Sequence, residues 1–260
     1  MIDGQGLDGQ DAWNNDIQSG VSLEDWLPDD SYKGTDAGDQ PQQSFIEKYD
    51  FQPTNNHIKK QMAWILYKGI ARTNDVINTL SEVKEVGDTR RKQIIAEARF
   101  LRGLFHFEAK KMWKTIPYID ENVYKLDDLE STKIPNDKDV WPLIEADFKA
   151  APEGLPENSV AGWTSNQMGC IGVSCQKPTC TRARNVTTES LADTAVLQKA
   201  KPVLEQIIAS GKFSLAPKFE DNFLIATRNN VESIFEIQYA GFQRLGRCCR
   251  CRCRFGSPIH

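Results

Sequence analysis

The stretch AEARFLRGLFHFEAKKMW, residues 96–113, decides how this chain is to be read. Together with Ile94, the residues Ala98, Leu101, Phe105 and Met112 make one apolar stripe at helical spacing, and Phe100, Leu104 and Phe107 make a second beside it. A helix apolar over that much of its circumference packs on two sides, as in stacked helical hairpins. Arg99, Arg102, Glu108 and Lys110 fall largely outside the stripes and read as solvated or buttressing charges rather than catalysts. His106 neighbours apolar positions, where a lone imidazole reads as a hydrogen-bonded core residue rather than a ligand.

Upstream, NNHIKKQMAWILYKGIARTNDVINTLSEV carries the same period. Ile58, Met62, Ile65, Leu66, Gly69, Ile70, Thr73, Ile77 and Leu80 recur at steps of three and four, with Asn55 or Asn56 as N-cap. Gly87 stops that helix and Asp88 or Thr89 caps the next. Downstream, DVWPLIEADFKAAPEGLPE predicts a helix entered through Asp139, with Pro142 in its first turn and Val140, Ile144, Ala146, Phe148 and Ala151 on its apolar face. ADTAVLQKAKPVLEQIIASGKFSLAP predicts another, with Leu197, Ala200, Val203, Leu204, Ile207 and Ile208 apolar. Pro202 bends or restarts it and Gly211 ends it. ESIFEIQYA alternates as a short strand. Residues 1–56, rich in Gly, Asp, Asn, Gln and Pro, read as loops. The fold class is mainly α, with tetratricopeptide-like stacked hairpins, loop-rich segments and that one strand near the C-terminus.

Composition narrows the function classes. With 260 residues, 40% hydrophobic and 26% charged, the chain has the make-up of a globular protein. A net charge of -4 argues against a nucleic-acid footprint, and no apolar run is long enough to cross a bilayer. There is no Gly-rich phosphate loop, no H-E-x-x-H and no G-x-S-x-G. Adjacent acids such as Asp127 and Asp128 do not face each other across a sugar as glycosidase carboxylates must. The seven cysteines crowd into GCIGVSCQKPTC and RCCRCRCRF, and neither cluster offers the paired spacing of a zinc site.

Five landmarks occur in order: WILYKGIARTNDVI, AEARFLRGLFHFEAKKMWKTIPYI, VWPLIEADFKAAPEGLPE, AKPVLEQIIASGKFSLAPKFEDNF and ESIFEIQYA. Together they resemble the SusD/RagB family, the outer-membrane glycan-binding lipoproteins of Bacteroidetes that cap a TonB-dependent transporter. The resemblance divides the chain into a loop-rich N-terminal segment (1–56), a helical-repeat region (57–240) and an aberrant tail (241–260). It implies an oligosaccharide ligand, a SusC-like transporter as partner, no enzymatic step and no cofactor. It also implies a surface location through a lipid anchor that this chain lacks. Because the family's members are about twice as long, both ends are expected to be missing and the fragment to be marginally stable. A helical-repeat scaffold for a protein or peptide is the alternative reading.

Carbohydrate recognition needs aromatic faces for sugar C–H surfaces and planar polar groups for hydroxyls. DDSYKGTDAGD offers Asp29, Asp30, Tyr32, Lys33 and Asp36 in a segment without core periodicity, and these are the candidate ligand-binding residues. Trp64, Trp113 and Trp141 fall on helices and read as core.

The cysteine segments also break the helical period. Moving the frame by one nucleotide at Gly162 to Lys177 allows V-G-Q-V-T-K-W-A-A-S-A-F-L-A-K, the helix the family pattern expects near 163–184. Equivalent shifts mend SGVSLEDWLP (19–28) and turn LGRCCRCRCRFGS into a polar loop. Insertions or deletions in the gene are therefore expected there, and Cys170, Cys175, Cys180, Cys248, Cys249, Cys251 and Cys253 are not read as metal ligands. Resequencing is expected to restore those frames, and codons confirmed as written would reject the explanation.

Overall fold

The computed structural model describes residues 38, 41–123, 133–155, 194–227 and 230–234. The chain divides into two compact units, Met1–Gly69 and Ile70–His260. The two cysteine clusters, residues 19–28 and the strand residues from Phe235 onward lie outside the described residues.

In the first unit, α1 spans Pro41–Glu47 within the segment read as loop. Its sequence, PQQSFIE, is too short to show a helical period, but proline suits a first helical turn because its missing N–H has no partner there anyway. Ile46 is its buried residue. The helix ends in a left-handed turn: Tyr49 N–H donates to the Ile46 carbonyl (3.0 Å) and Asp50 N–H to that of Phe45 (2.9 Å). α2 spans Asn56–Lys60. Asn55 caps it as expected, accepting the His57 N–H at 2.9 Å, while its amide donates to the Gln42 carbonyl at 3.0 Å. That buried residue thus fixes the start of α2 against α1.

The periodic run beginning at α2 is not one uniform α-helix. Gln61–Tyr67 is a π-helix, followed without a loop by α3, Lys68–Glu82. Regular spacing of Met62, Ile65 and Leu66 conceals this, because one extra residue per turn leaves little trace in so short a window.

In the second unit, Ile70, Thr73, Ile77 and Leu80 form the buried face of α3, together with Asn74. A short connection leads to α4, Asp88–Met112. Gly87 occupies the N-cap and Asp88 the first turn, so neither Asp88 nor Thr89 is the cap. The carboxylate of Asp88 still complements the positive helix end. Arg91 reaches back to the carbonyl of Leu80 in the last turn of α3 and to those of Val83 and Val86 in the connection, giving these acceptors a partner.

α5, Trp141–Gly154, runs antiparallel to α4. The order is visible in the ring pairs: Phe100 meets Phe148 edge-on at 5.6 Å, and Phe107 meets Trp141 at 6.1 Å. Asp139 accepts the Trp141 N–H at 3.1 Å, and Pro142 lies in the first turn, both as expected. Val140, Ile144, Phe148 and Ala151 are buried, but Ala146 is exposed and Asp147 is buried in its place. On α4 the stripe of Phe100, Leu104 and Phe107 is fully buried, while Ile94, Leu101, Phe105 and Met112 are only half-buried.

α6 spans Thr194–Ala209 and continues through Pro202 rather than restarting there. Ile207 is buried and Ile208 exposed, because only one side of α6 is covered at that point. Gly211, at φ 63, ends the helix region as expected. The loop after it is tied by Glu232, which accepts from Ala216 N–H (2.9 Å) and Asn222 Nδ2 (3.0 Å). Among the described residues the second unit is stacked helices and short 3₁₀ turns, with no strand.

Two glycines set the closeness of α4 and α5. A Cβ on Gly154 would lie 2.7 Å from the Lys92 carbonyl oxygen and 2.8 Å from Ala96 Cβ. One on Gly103 would meet Asp147 Cβ at 3.2 Å. Gly154→Ala is therefore expected to destabilise the chain by about 1–3 kcal/mol, the range for overpacking. Gly103→Ala is expected to cost less, and denaturant midpoints of the two variants give the comparison.

Candidate functional site

Asp29, Asp30, Tyr32, Lys33 and Asp36 lie outside the described residues. Where polar chemistry concentrates instead, within the second unit, is at the centre of α4. Arg102 is buried there at 3% exposure, although it falls outside the apolar stripes. Its position opposite Asp147 explains this. Arg102 Nε donates to Asp147 Oδ2 at 2.8 Å and Nη2 to Oδ1 at 2.6 Å, a bidentate fork across α4 and α5. Nη1 donates to Asn74 Oδ1 on α3 at 3.0 Å and also to Glu121 Oε2. One guanidinium thus joins three helices and the segment that follows α4.

That segment, Trp113 to Val123, is held by a second set of bonds. Tyr118 donates its hydroxyl to Asp147 Oδ2 at 2.6 Å, and its ring stacks on His106 with centroids 4.3 Å apart. The Ile119 N–H donates to His106 Nε2 at 3.2 Å, and the Ile119 carbonyl accepts from Asn74 Nδ2 at 3.1 Å. Because Nε2 must accept, the ring proton sits on Nδ1, which donates to the Arg102 carbonyl at 3.0 Å. His106 is therefore the hydrogen-bonded core residue that its apolar neighbours suggest. Ile116 and Ile119 of this segment are buried.

The electrostatics follow from burial and pairing. Burial alone would lower the Arg102 pKa, but the hydrogen bonds and charge of Asp147 outweigh it, so the guanidinium stays protonated. Tyr118 is pushed up, first by burial and then by the Asp147 charge, and acts as a permanent donor. Glu121 is drawn below the usual carboxylate range because the hydrogen bond from Arg102 overcomes its partial burial. Burial is also the largest influence on His106, taking it from 6.5 to about 3. Each of these groups points at another member of the cluster, so the arrangement orients a chain segment. No group of three possible metal ligands occurs among the described residues.

By residue pattern alone Arg102 falls among solvated or buttressing charges, and nothing singles out Asn74, Tyr118, Glu121 or Asp147. The available signal was spacing: Asp147 replaces an apolar residue between Ile144, Phe148 and Ala151 on the buried face of α5. Of the tryptophans, Trp141 is buried and Trp113 half-buried at the end of α4. The Trp64 side chain lies outside the described residues.

Comparison with known proteins bears on what such a frame carries. Residues 21–166, more than half of the chain, match a family described as SusD-like, starch-binding and associating with the outer membrane. The chain belongs to the SusD-like family. A SusD-like protein of Bacteroides ovatus is 24% identical over 180 residues, 68% of this chain and 32% of that protein. A SusD superfamily protein of Parabacteroides distasonis superposes with a TM-score of 0.66 at 20% identity, over 84% of this chain and 44% of that one. Surface glycan-binding protein A of Bacteroides thetaiotaomicron, solved with laminarihexaose, gives 0.62 at 22% identity, over 78% and 40%. At such identities the solved structures speak for the fold. This SusD-like chain spans about a third of the length of that Bacteroides ovatus relative.

Two outcomes test the cluster. Arg102→Met leaves the Asp147 carboxylate without its buried counter-charge and is expected to cost about 3–5 kcal/mol, with Arg102→Met/Asp147→Leu recovering much of it. The second concerns pH. Below pH 6.5 the unfolded chain protonates His106 while the folded chain refuses that proton until about pH 3. Stability present above 6.5 is thus lost as pH falls through this window. Glu121 adds a loss in the same direction at lower pH. Unfolding midpoints are expected to fall between pH 6.5 and about 5, before ordinary carboxylates titrate, and His106→Gln is expected to flatten that slope.

Proposed function

We propose that this SusD-like chain captures an oligosaccharide at the outer face of the outer membrane and passes it to a TonB-dependent transporter, breaking no bond. The observation that carries this reading is the family match over residues 21–166, whose description joins starch binding to the outer membrane. The likeness to a surface glycan-binding protein solved with laminarihexaose supports it on the side of the ligand. In the whole protein a lipid anchor would hold the domain to the membrane. No helix among the described residues is long and apolar enough to cross a bilayer.

Within the second unit the cluster around Arg102 fixes three helices and the segment after α4. Asp29, Asp30, Tyr32, Lys33 and Asp36 are proposed to contact the sugar, the tyrosine ring stacking on a pyranose face and the charged groups taking hydroxyls.

Native affinity gels cast with soluble polysaccharides, laminarin among them, test this directly. The chain is expected to be retarded by at least one polysaccharide and to release no shortened product from it. Tyr32→Ala is expected to weaken that binding about two- to tenfold, the range for one aromatic contact. Retardation by none of them, or product release, would reject the reading.

A further inference from the structure

His106 holds the segment after α4 through an arrangement that works in one protonation state. Its Nε2 accepts the Ile119 N–H at 3.2 Å, and its Nδ1 donates to the Arg102 carbonyl at 3.0 Å. Both ring nitrogens are thereby used, and the side chain is fully buried. A second proton has only Nε2 to go to, where it would face the Ile119 N–H donor to donor. The imidazolium thus removes the acceptor on which Ile119 depends.

The surroundings give such a charge no relief. On α4 the Arg102 guanidinium, one helical turn earlier, is a like charge, and Lys110, one turn later, is another, directed at the Lys114 carbonyl. On the segment, Tyr118 lays a neutral ring on the imidazole, Glu121 is taken by Arg102, and Asp120 accepts from the Asn122 and Val123 N–H groups. α5 brings Asp147, whose two oxygens are held by Arg102 and Tyr118, and α3 brings the uncharged Asn74.

The grip on the segment is also concentrated. Trp113 to Val123 contains no helix or strand. Ile119 gives its N–H to His106 on α4 and its carbonyl to Asn74 on α3, so one residue carries two of the ties. The helices beneath meet through Phe100 with Phe148, Phe107 with Trp141 and the Arg102–Asp147 fork, none of which passes through the segment.

We propose that Trp113 to Val123 is a proton-released strap: a proton taken up by His106 lifts the segment while α4 and α5 stay packed. This is a local opening, separate from the loss of overall stability in acid, and it does not rest on what the chain binds. The open form leaves the imidazole in water, where it takes a proton below pH 6.5, whereas the closed form refuses one until about pH 3. The closed form is therefore fully favoured above pH 6.5 and loses ground as pH falls. Between pH 6.5 and about 5, the open fraction is expected to rise about fifteenfold.

Amide hydrogen exchange of the 260-residue chain, corrected for the intrinsic pH dependence of exchange, tests this, with Ile119 reporting on the strap and Phe100 and Phe148 on the helix pair. Protection of Ile119 is expected to fall about fifteenfold over that pH range. In urea below the unfolding transition its exchange is expected to stay flat while Phe100 and Phe148 accelerate, because a local opening exposes little surface and a global one exposes much. His106→Gln keeps the site neutral and is expected to abolish the pH dependence at Ile119. Exchange of Ile119 that rises with urea in step with Phe100 and Phe148 would mean that the segment opens only with the helices, and would overturn the proposal. So would Ile119 protection that does not change with pH. Both readouts use the unaltered chain and do not depend on the variant folding.

Discussion

A buried guanidinium is tolerable only if its charge is paired and its donors are largely matched by acceptors, and in this chain that demand shapes the second unit. Arg102 sits on the long central helix with one carboxylate fork on α5, one amide on α3 and one further carboxylate on the segment after α4. Removing any partner leaves charge or dipole in a place water does not reach. The apolar contacts of Phe100, Phe107, Phe148 and Trp141 supply cohesion, but many slightly shifted packings would bury them nearly as well. The fork admits far fewer. Together with the close approach at Gly103 and Gly154, it selects one register between α4 and α5.

The same cluster orders the segment that follows α4. Holding Trp113 to Val123 against the helices through Tyr118, His106 and Asn74 removes freedom from a connection that would otherwise move. The groups that accomplish this are charged or polar yet chemically occupied. Their departures from ordinary titration report structure, and the same signal in an open cleft would have pointed to catalysis.

Much of the helical frame was legible in the residue order, and for physical reasons. α4 and α5 are long enough for periodicity to rise above noise, and Asn55, Asp139 and Gly211 mark the start of α2, the start of α5 and the end of α6 by local chemistry that needs no tertiary context. What escaped was set by partners distant in the chain. Arg102 becomes a core residue only because Asp147 stands opposite, and no local pattern announces that pairing. The π-helix at Gln61–Tyr67 and the short α1 also escaped, the first because apolar spacing barely distinguishes it, the second because seven residues hold too few turns. The ligand residues read from DDSYKGTDAGD belong to a segment with no period at all, where composition is the sole guide.

The separations along the chain at Arg102 have a kinetic side. Arg91 reaches carbonyls only five to eleven residues away, so the α3–α4 turn closes through short-range encounters. Arg102 must wait for Asn74 and Asp147, which lie 28 and 45 residues off. Contacts that distant form once much of the loop entropy has already been lost. The guanidinium thus works as a latch set after its frame is assembled. Amide protons on α3, α4 and α5 are then expected to exchange with solvent through shared opening events, rather than each helix fraying on its own.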